Sequence, residues 1–324
     1  MLYCSRSFLH SAGGTRSNIG VRKAPQKSKR YDEVGMLLKY YLSSFLLLQY
    51  TLSVDVDLAA FNITVLDSAH RPVAGLTTSN FHVYEDGREE KIKIFQPEDT
   101  PATVGLIIDN SGSMANKRPD VVTAALSFIG ASQRDDEMFV VDFNHRPWLG
   151  LPAAMPFTSN ASELRAALLQ TRAEGTTALY DALELSIDHL KDGSRQRKAL
   201  VLLSDGGDNA STAKLDEVLR KAQQSSATIY CIGIYDPFAK DKNPGVLKKI
   251  AKVTGGESYF PTTSADLREI WPRIAGAIRG QYTIAYISSN PTHDGSYRTV
   301  KIIARDKRGK ALEVRTRPGY FASK

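Results

Sequence analysis

At 324 residues, 42% hydrophobic and 24% charged, the chain has the composition of a folded globular protein with room for one large domain or two modest ones, which excludes wholesale disorder. Its net charge of +7 is unevenly placed: Arg6, Arg16, Arg22, Lys23, Lys27, Lys29 and Arg30 fall in a stretch without acidic residues, and the other 35 basic residues balance the 35 acidic ones. The positive balance belongs to a tail, and no nucleic-acid partner is expected of the rest.

Residues 1–35 are rich in Ser, Gly and basic side chains without a sustained apolar period, which reads as a disordered tail or as an upstream start outside the native protein. The apolar run Met36–Tyr50 is too short to span a bilayer, which needs roughly 20 apolar residues. Two readings stay open for it: the core of a signal peptide, which implies an extracytoplasmic location, or a buried first segment. No Ala-x-Ala-like cleavage site follows it.

Residues 51–99 carry strand signals. Leu52, Val54, Val56 and Leu58 alternate with polar residues, and Phe61–Leu66, Phe81–Tyr84 and Lys91–Phe95 follow, separated by turn clusters at Asp67–Pro72 and Glu85-Asp-Gly87. Residues 100–281 switch to strands alternating with helices. Val104–Ile108, Met138–Val141, Ala199–Leu203 and Ile229–Ile234 are continuous apolar runs, as expected of central strands covered on both faces. Helical patterns lie between them at Asp120–Ser132, Ser162–Arg172, Ala178–Lys191, Leu215–Ser225 and Val246–Val253; Leu179, Leu183, Ile187 and Leu190 mark one apolar face. The fold class expected is α/β, a doubly wound, mostly parallel sheet. Cys231 lies in one of the apolar runs and reads as a small buried thiol; with Cys4 the only other cysteine, a disulfide framework is excluded.

Residues 282–324 return to alternation, in 281–287, Tyr297–Ile303 and Ala311–Arg315. Neither flank has enough strands to fold well alone. The expectation is that the flanks pair into one immunoglobulin-like β-sandwich with the α/β domain inserted between its halves; two independent β appendages are the alternative.

The chemistry collects at strand ends. The run ending at Ile108 delivers Asp109-Asn-Ser-Gly-Ser-Met114, one carboxylate and two hydroxyls on a tight loop, and the run ending at Leu203 delivers Asp205 to the same edge. Gly175-Thr-Thr-Ala-Leu-Tyr-Asp181 adds threonines at a helix start. Such an all-oxygen set suits a hard divalent ion. Asp142 reads as a neighbour of that site or as a solvent-facing strand end, and Asp208 and Asn209 as loop-capping residues. His145, His189 and His293 have no metal-ligand spacing.

These motifs resemble the von Willebrand factor A family over roughly residues 100–281. The Asp-x-Ser-x-Ser motif is Asp109, Ser111 and Ser113, the family's threonine maps best to Thr177, with Thr176 as the alternative, and its later aspartate to Asp205. Phe81–Gly87 and Arg317–Phe321 also look like a bacterial group of such proteins described from acidobacteria. The resemblance implies a metal-ion-dependent adhesion site holding Mg, or Mn or Ca. Its serines and threonine would contact the ion directly, its aspartates largely through water, and an acidic residue of a protein partner would complete the sphere.

No nucleophile elbow, phosphate loop, zinc-protease helix or dinucleotide fingerprint occurs, so binding is expected rather than catalysis. A scaffold role with an incidental metal site, or less favourably metal-dependent hydrolysis, is the alternative. Membrane attachment and oligomeric state stay open.

Overall fold

The computed structural model describes residues 58–235 and 242–323. The basic tail, the apolar run 36–50 and the alternating residues 51–57 lie outside the described residues.

The α/β body is built on a six-stranded sheet ordered β10-β9-β8-β5-β6-β7: β5 (Ala102–Asp109), β6 (Glu137–Phe143), β7 (Pro147–Leu149), β8 (Arg197–Ser204), β9 (Thr228–Gly233) and β10 (Ser258–Tyr259). All pairings are parallel except that of β7, an antiparallel edge strand beside β6. Every residue of β5 is buried because β6 and β8 flank it and helices cover the sheet, which is why its sequence is apolar throughout instead of alternating. The helices are α1 (Arg118–Ala131), α2 (Ala161–Leu169), α3 (Leu179–Lys191), α4 (Leu215–Gln224), α5 (Pro244–Thr254) and α6 (Ser264–Arg279). The sequence pattern marks the first five; α6 is an addition. Its Leu267, Ile270, Trp271, Ile274 and Ile278 recur at helical spacing and are buried, with the Trp271 ring 5.5 Å from that of Phe128 on α1.

The second layer interleaves strands from both ends of the chain. Before the α/β body come β1 (Leu58–Leu66), β2 (Phe81–Glu85), β3 (Arg88–Glu90) and β4 (Ile92–Gln96); after it come β11 (Gln281–Ile287), β12 (Tyr297–Arg305), β13 (Ala311–Arg315) and β14 (Gly319–Phe321). Their hydrogen-bonded order is β3-β2-β12-β13-β1-β11-β4, with β14 added on β12. Asp86 and Gly87 take positive φ, the left-handed pair that a tight β2–β3 hairpin requires.

An immunoglobulin-like sandwich would divide these strands between two separate sheets. Here one path runs through them and folds over at the short β13, so that β2 and β12 face β1 and β11 across a shared core, an arrangement closer to an open barrel. Phe81 on β2 packs 5.4 Å from Tyr282 on β11, and buried Glu85 on β2 is held by Arg298 (3.1 Å), Tyr286 (2.8 Å) and Tyr320 (2.9 Å) from the C-terminal strands.

Arg197, fully buried at the start of β8, fastens the two layers. Its guanidinium donates to the carbonyls of Pro97 and Thr100, where the chain enters the α/β body, and of Ile278, Arg279 and Gln281, where it leaves. The last carbonyls of α6 supply negative potential in place of a carboxylate. Arg317 repeats the device, donating to Gln223 and Ser225 at the end of α4 and to Ala60 on β1. Arg197→Met orphans five carbonyls at once, and we expect it to lower unfolding free energy by about 3 kcal/mol in urea denaturation; a loss below about 1 kcal/mol would show that these bonds do not hold the layers together.

Candidate functional site

Both strands that lead to the site stop at its edge. At the end of β5 the chain turns at Asn110 and enters a 3₁₀ turn, Gly112–Lys117. The turn is clamped to the loop before α3, since Glu174 N–H donates to the Asn110 carbonyl (2.8 Å) and Gly112 N–H to that of Gly175 (3.0 Å). Beyond β8 comes Asp205, then Gly206 at φ +79°, whose missing side chain would stand 2.4 Å from the Asn243 carbonyl oxygen. Only glycine permits that approach.

Four of the five expected site residues meet directly. Ser113 Oγ donates to Asp205 Oδ2 at 2.6 Å and lies 3.1 Å from Ser111 Oγ, while Asp109 Oδ1 accepts from the Ser111 N–H at 2.9 Å. Asp109 and Asp205 are 0% and 2% exposed, and among the described residues neither forms an ion pair with a lysine, arginine or histidine. Burial pushes Asp109 up to about 6, against the hydrogen bonds from Ser111 and Ser204, and the charge of Asp205 adds to the rise.

The fifth, Thr177, is buried while Thr176 is exposed, which favours Thr177 as the residue turned into the protein. Its backbone is fixed from the Asp205 side: Asn209 Oδ1 accepts from its N–H (2.8 Å), and its carbonyl accepts from the N–H groups of Asn209 and Ala210. The adjoining start of α3 lacks a cap of its own and borrows one, with Tyr180 and Asp181 N–H donating to Ser211 Oγ.

Several supporting residues escaped the sequence reading. Ser204 Oγ donates to Asp109 Oδ2 at 2.6 Å, and its signal is a hydroxyl closing an apolar strand. Asn110 Nδ2 donates to Asp142 Oδ1 at 2.6 Å. Asp142 is therefore fully buried beneath the Asp109 loop rather than facing solvent. Asp208 and Asn209 cap a loop as expected, but the loop is the one that positions Thr177. His189 bonds to the Pro156 carbonyl and stacks on Phe157, a packing role.

The family model described as the von Willebrand factor type A domain matches residues 104–272, over half of the chain and including all five residues above. The chain belongs to this family. Among curated proteins, an uncharacterized protein of Synechocystis sp., sll0103, is 30% identical over 185 residues, 54% of this chain and 42% of its own length. The chain thus spans less than half of that relative. Among solved structures, a von Willebrand factor type A protein from Catenulispora acidiphila covers 83% of this chain and 74% of its own at 17% identity, with a TM-score of 0.51, a likeness of fold. Among the described residues no helix is long and apolar enough to cross a membrane, and no three His, Cys, Asp or Glu side chains cluster as a metal site.

Asp142 is likewise raised to about 6, chiefly by burial, offset by the Asn110 hydrogen bond and the charge of Arg118. A carboxyl raised from 3.8 on folding destabilises the fold once ionised, fully above about pH 6 and not at all below about pH 4. Asp142→Asn keeps an acceptor for Asn110 and removes that penalty. In chelator, we expect it to add about 2 kcal/mol of stability at pH 7.5 and to match the wild type at pH 3.5; a gain independent of pH would show that ionisation is not the cause.

Proposed function

We propose that this crevice binds a divalent cation, magnesium first and manganese or calcium as substitutes, and that the bound ion receives an acidic side chain of a protein partner. The observation that carries the reading is the pair of buried carboxylates, Asp109 and Asp205, without a cationic partner among the described residues and beside two hydroxyls. Burying charge without compensation is strongly unfavourable, and a divalent ion compensates both carboxylates at once. Ser111, Ser113 and Thr177 would hold the ion through hydroxyl oxygens, with Asp109 and Asp205 supplying charge around it. Because hydroxyls leave its charge largely unneutralised, the ion would supply a strong attraction for an incoming carboxylate.

The surrounding residues pre-position this set. Ser204 fixes the Asp109 carboxylate, Gly207 N–H that of Asp205 (3.1 Å), and Asn209 the backbone of Thr177. Binding is favoured over catalysis in this reading because the Ser113 hydroxyl, which donates to Asp205, serves as an ion ligand and not as a nucleophile. Of the two open readings of residues 36–50, the signal peptide is the one we adopt, with the module outside the cytoplasm; fractionation of cells making the full chain should find it there, and retention in the cytosol would overturn that location.

Calorimetric titration with magnesium tests the site. We expect saturable binding by the wild type and at least a tenfold loss, about 1.4 kcal/mol, in Asp109→Ala and in Ser113→Ala. Partner captured in magnesium should elute in chelator. Retention in excess chelator would contradict the proposed bridge.

A further inference from the structure

A cavity of about 700 Å³ opens between the end of α4 and the β layer, and none of its wall residues belongs to the crevice. Arg220, Gln224, Arg317, Leu58, Tyr320 and Phe321 stand on its wall. Arg220 and Gln224 are four residues apart on α4, so their side chains leave one face of the helix. Leu58, Ala60 and Asn62 leave one face of β1, and Asn62 Nδ2 donates to the Ser226 carbonyl just past α4 (2.9 Å). That face of β1 therefore looks onto the helix end.

The charge on the wall is of one sign. Arg220 is exposed, Arg317 is 8% exposed, and among the described residues neither forms an ion pair. No acidic side chain is on the wall, and Asp294, next to the wall residue Gly295, is exposed and accepts from the Ser296 N–H (2.8 Å). The Arg317 guanidinium bonds the carbonyls of Gln223, Ser225 and Ala60, which orient it without cancelling its charge. Burial accordingly pushes Arg317 down to about 10. Because it takes the carbonyls that end α4, the negative end of that helix is covered and does not repel an anion. The other side of the cavity is apolar: Leu58 is 43% exposed, a large aliphatic side chain left in water beside half-buried Tyr320 and Phe321.

Two cations without counter-charge, one with its fork open to solvent, select an anion, and exposed aliphatic surface beside them selects a body that water rejects. An arginine fork matches a carboxylate with two parallel hydrogen bonds, and the volume lies in the range of small-molecule sites. We propose that this cavity binds a small free acid, a carboxylate on an apolar chain, independently of the metal. Arg220 bonds the carboxylate with Gln224 beside it, buried Arg317 adds its field, and the chain lies against Leu58 and the end of β14.

Hexanoate carries both features, and acetate, 1-hexanol and hexylammonium each lack one or reverse the charge. The full chain, labelled with ¹⁵N, is titrated with all four in chelator, so that no carboxylate reaches an ion in the crevice and failure of the metal reading leaves the outcome unaffected. Sodium hexanoate should shift the Arg220 Nε–H and the Gln224 and Phe321 amides saturably, with Kd on the order of 1 mM, and leave the Gly112 amide of the crevice in place. The other three should bind at least tenfold more weakly. Arg220→Gln, with unchanged thermal unfolding as evidence of folding, should weaken hexanoate at least tenfold, and Leu58→Ser about threefold. The proposal is overturned if hexanoate shifts none of these signals, if any of the other three binds as tightly, or if either variant binds as well as the wild type. Tighter binding of N-acetyl-leucine than of hexanoate would also overturn it, marking a peptide terminus as the ligand.

Discussion

Two neighbouring parallel strands, β5 and β8, each run out into a buried aspartate, and the carboxylates of Asp109 and Asp205 share one crevice without a cationic side chain from the described residues to balance them. Much around the crevice follows from that constraint. Ser113 bonds one carboxylate and Ser204 the other, the Ser111 and Gly207 N–H groups fix their second oxygens, and backbone clamps at Gly112–Gly175 and Asn209–Thr177 draw the third loop in. Hydrogen bonds of this kind orient a carboxylate but do not neutralise it. The remaining electrostatic deficit is what the proposed divalent ion would offset.

The β layer stands in a different relation to the crevice. It is joined to the opposite end of the body, where β5 begins, by arginines that use carbonyls in place of carboxylates. Arg197 ties the entry and exit linkers together, and Arg317 ties the end of α4 to β1. Since the chain enters and leaves the α/β body beside one buried guanidinium, the inserted body is held at two closely spaced points, and its loops at the carboxyl ends of the strands are left to the site.

Much of this was legible because the periodicity was strong. The apolar runs at 104–108 and 199–203 read as central strands and became β5 and β8, and the carboxylates that follow them could be placed on one edge without a structure. Helix α6 escaped because Pro272 interrupts it, and a proline inside a helix argues locally against one. Packing of Trp271 and its neighbours onto α1 overrides that local preference. The flanking strands were visible, but their order was not: alternation says which face is buried and nothing about which strand lies beside which. Asn209 could be read as a cap but not as the cap of the Thr177 loop, 32 residues away, because that relation exists only after folding.

The central claim is that Asp109 and Asp205 are left uncompensated in order to hold an ion. Crystals of the full chain soaked in manganese and measured at the manganese edge locate such an ion without reference to any partner. One strong anomalous peak is expected within bonding reach of the Ser111 and Ser113 hydroxyls, absent from Asp109→Ala crystals. A crevice without a peak at saturating manganese, or an equal peak in the variant, would contradict it.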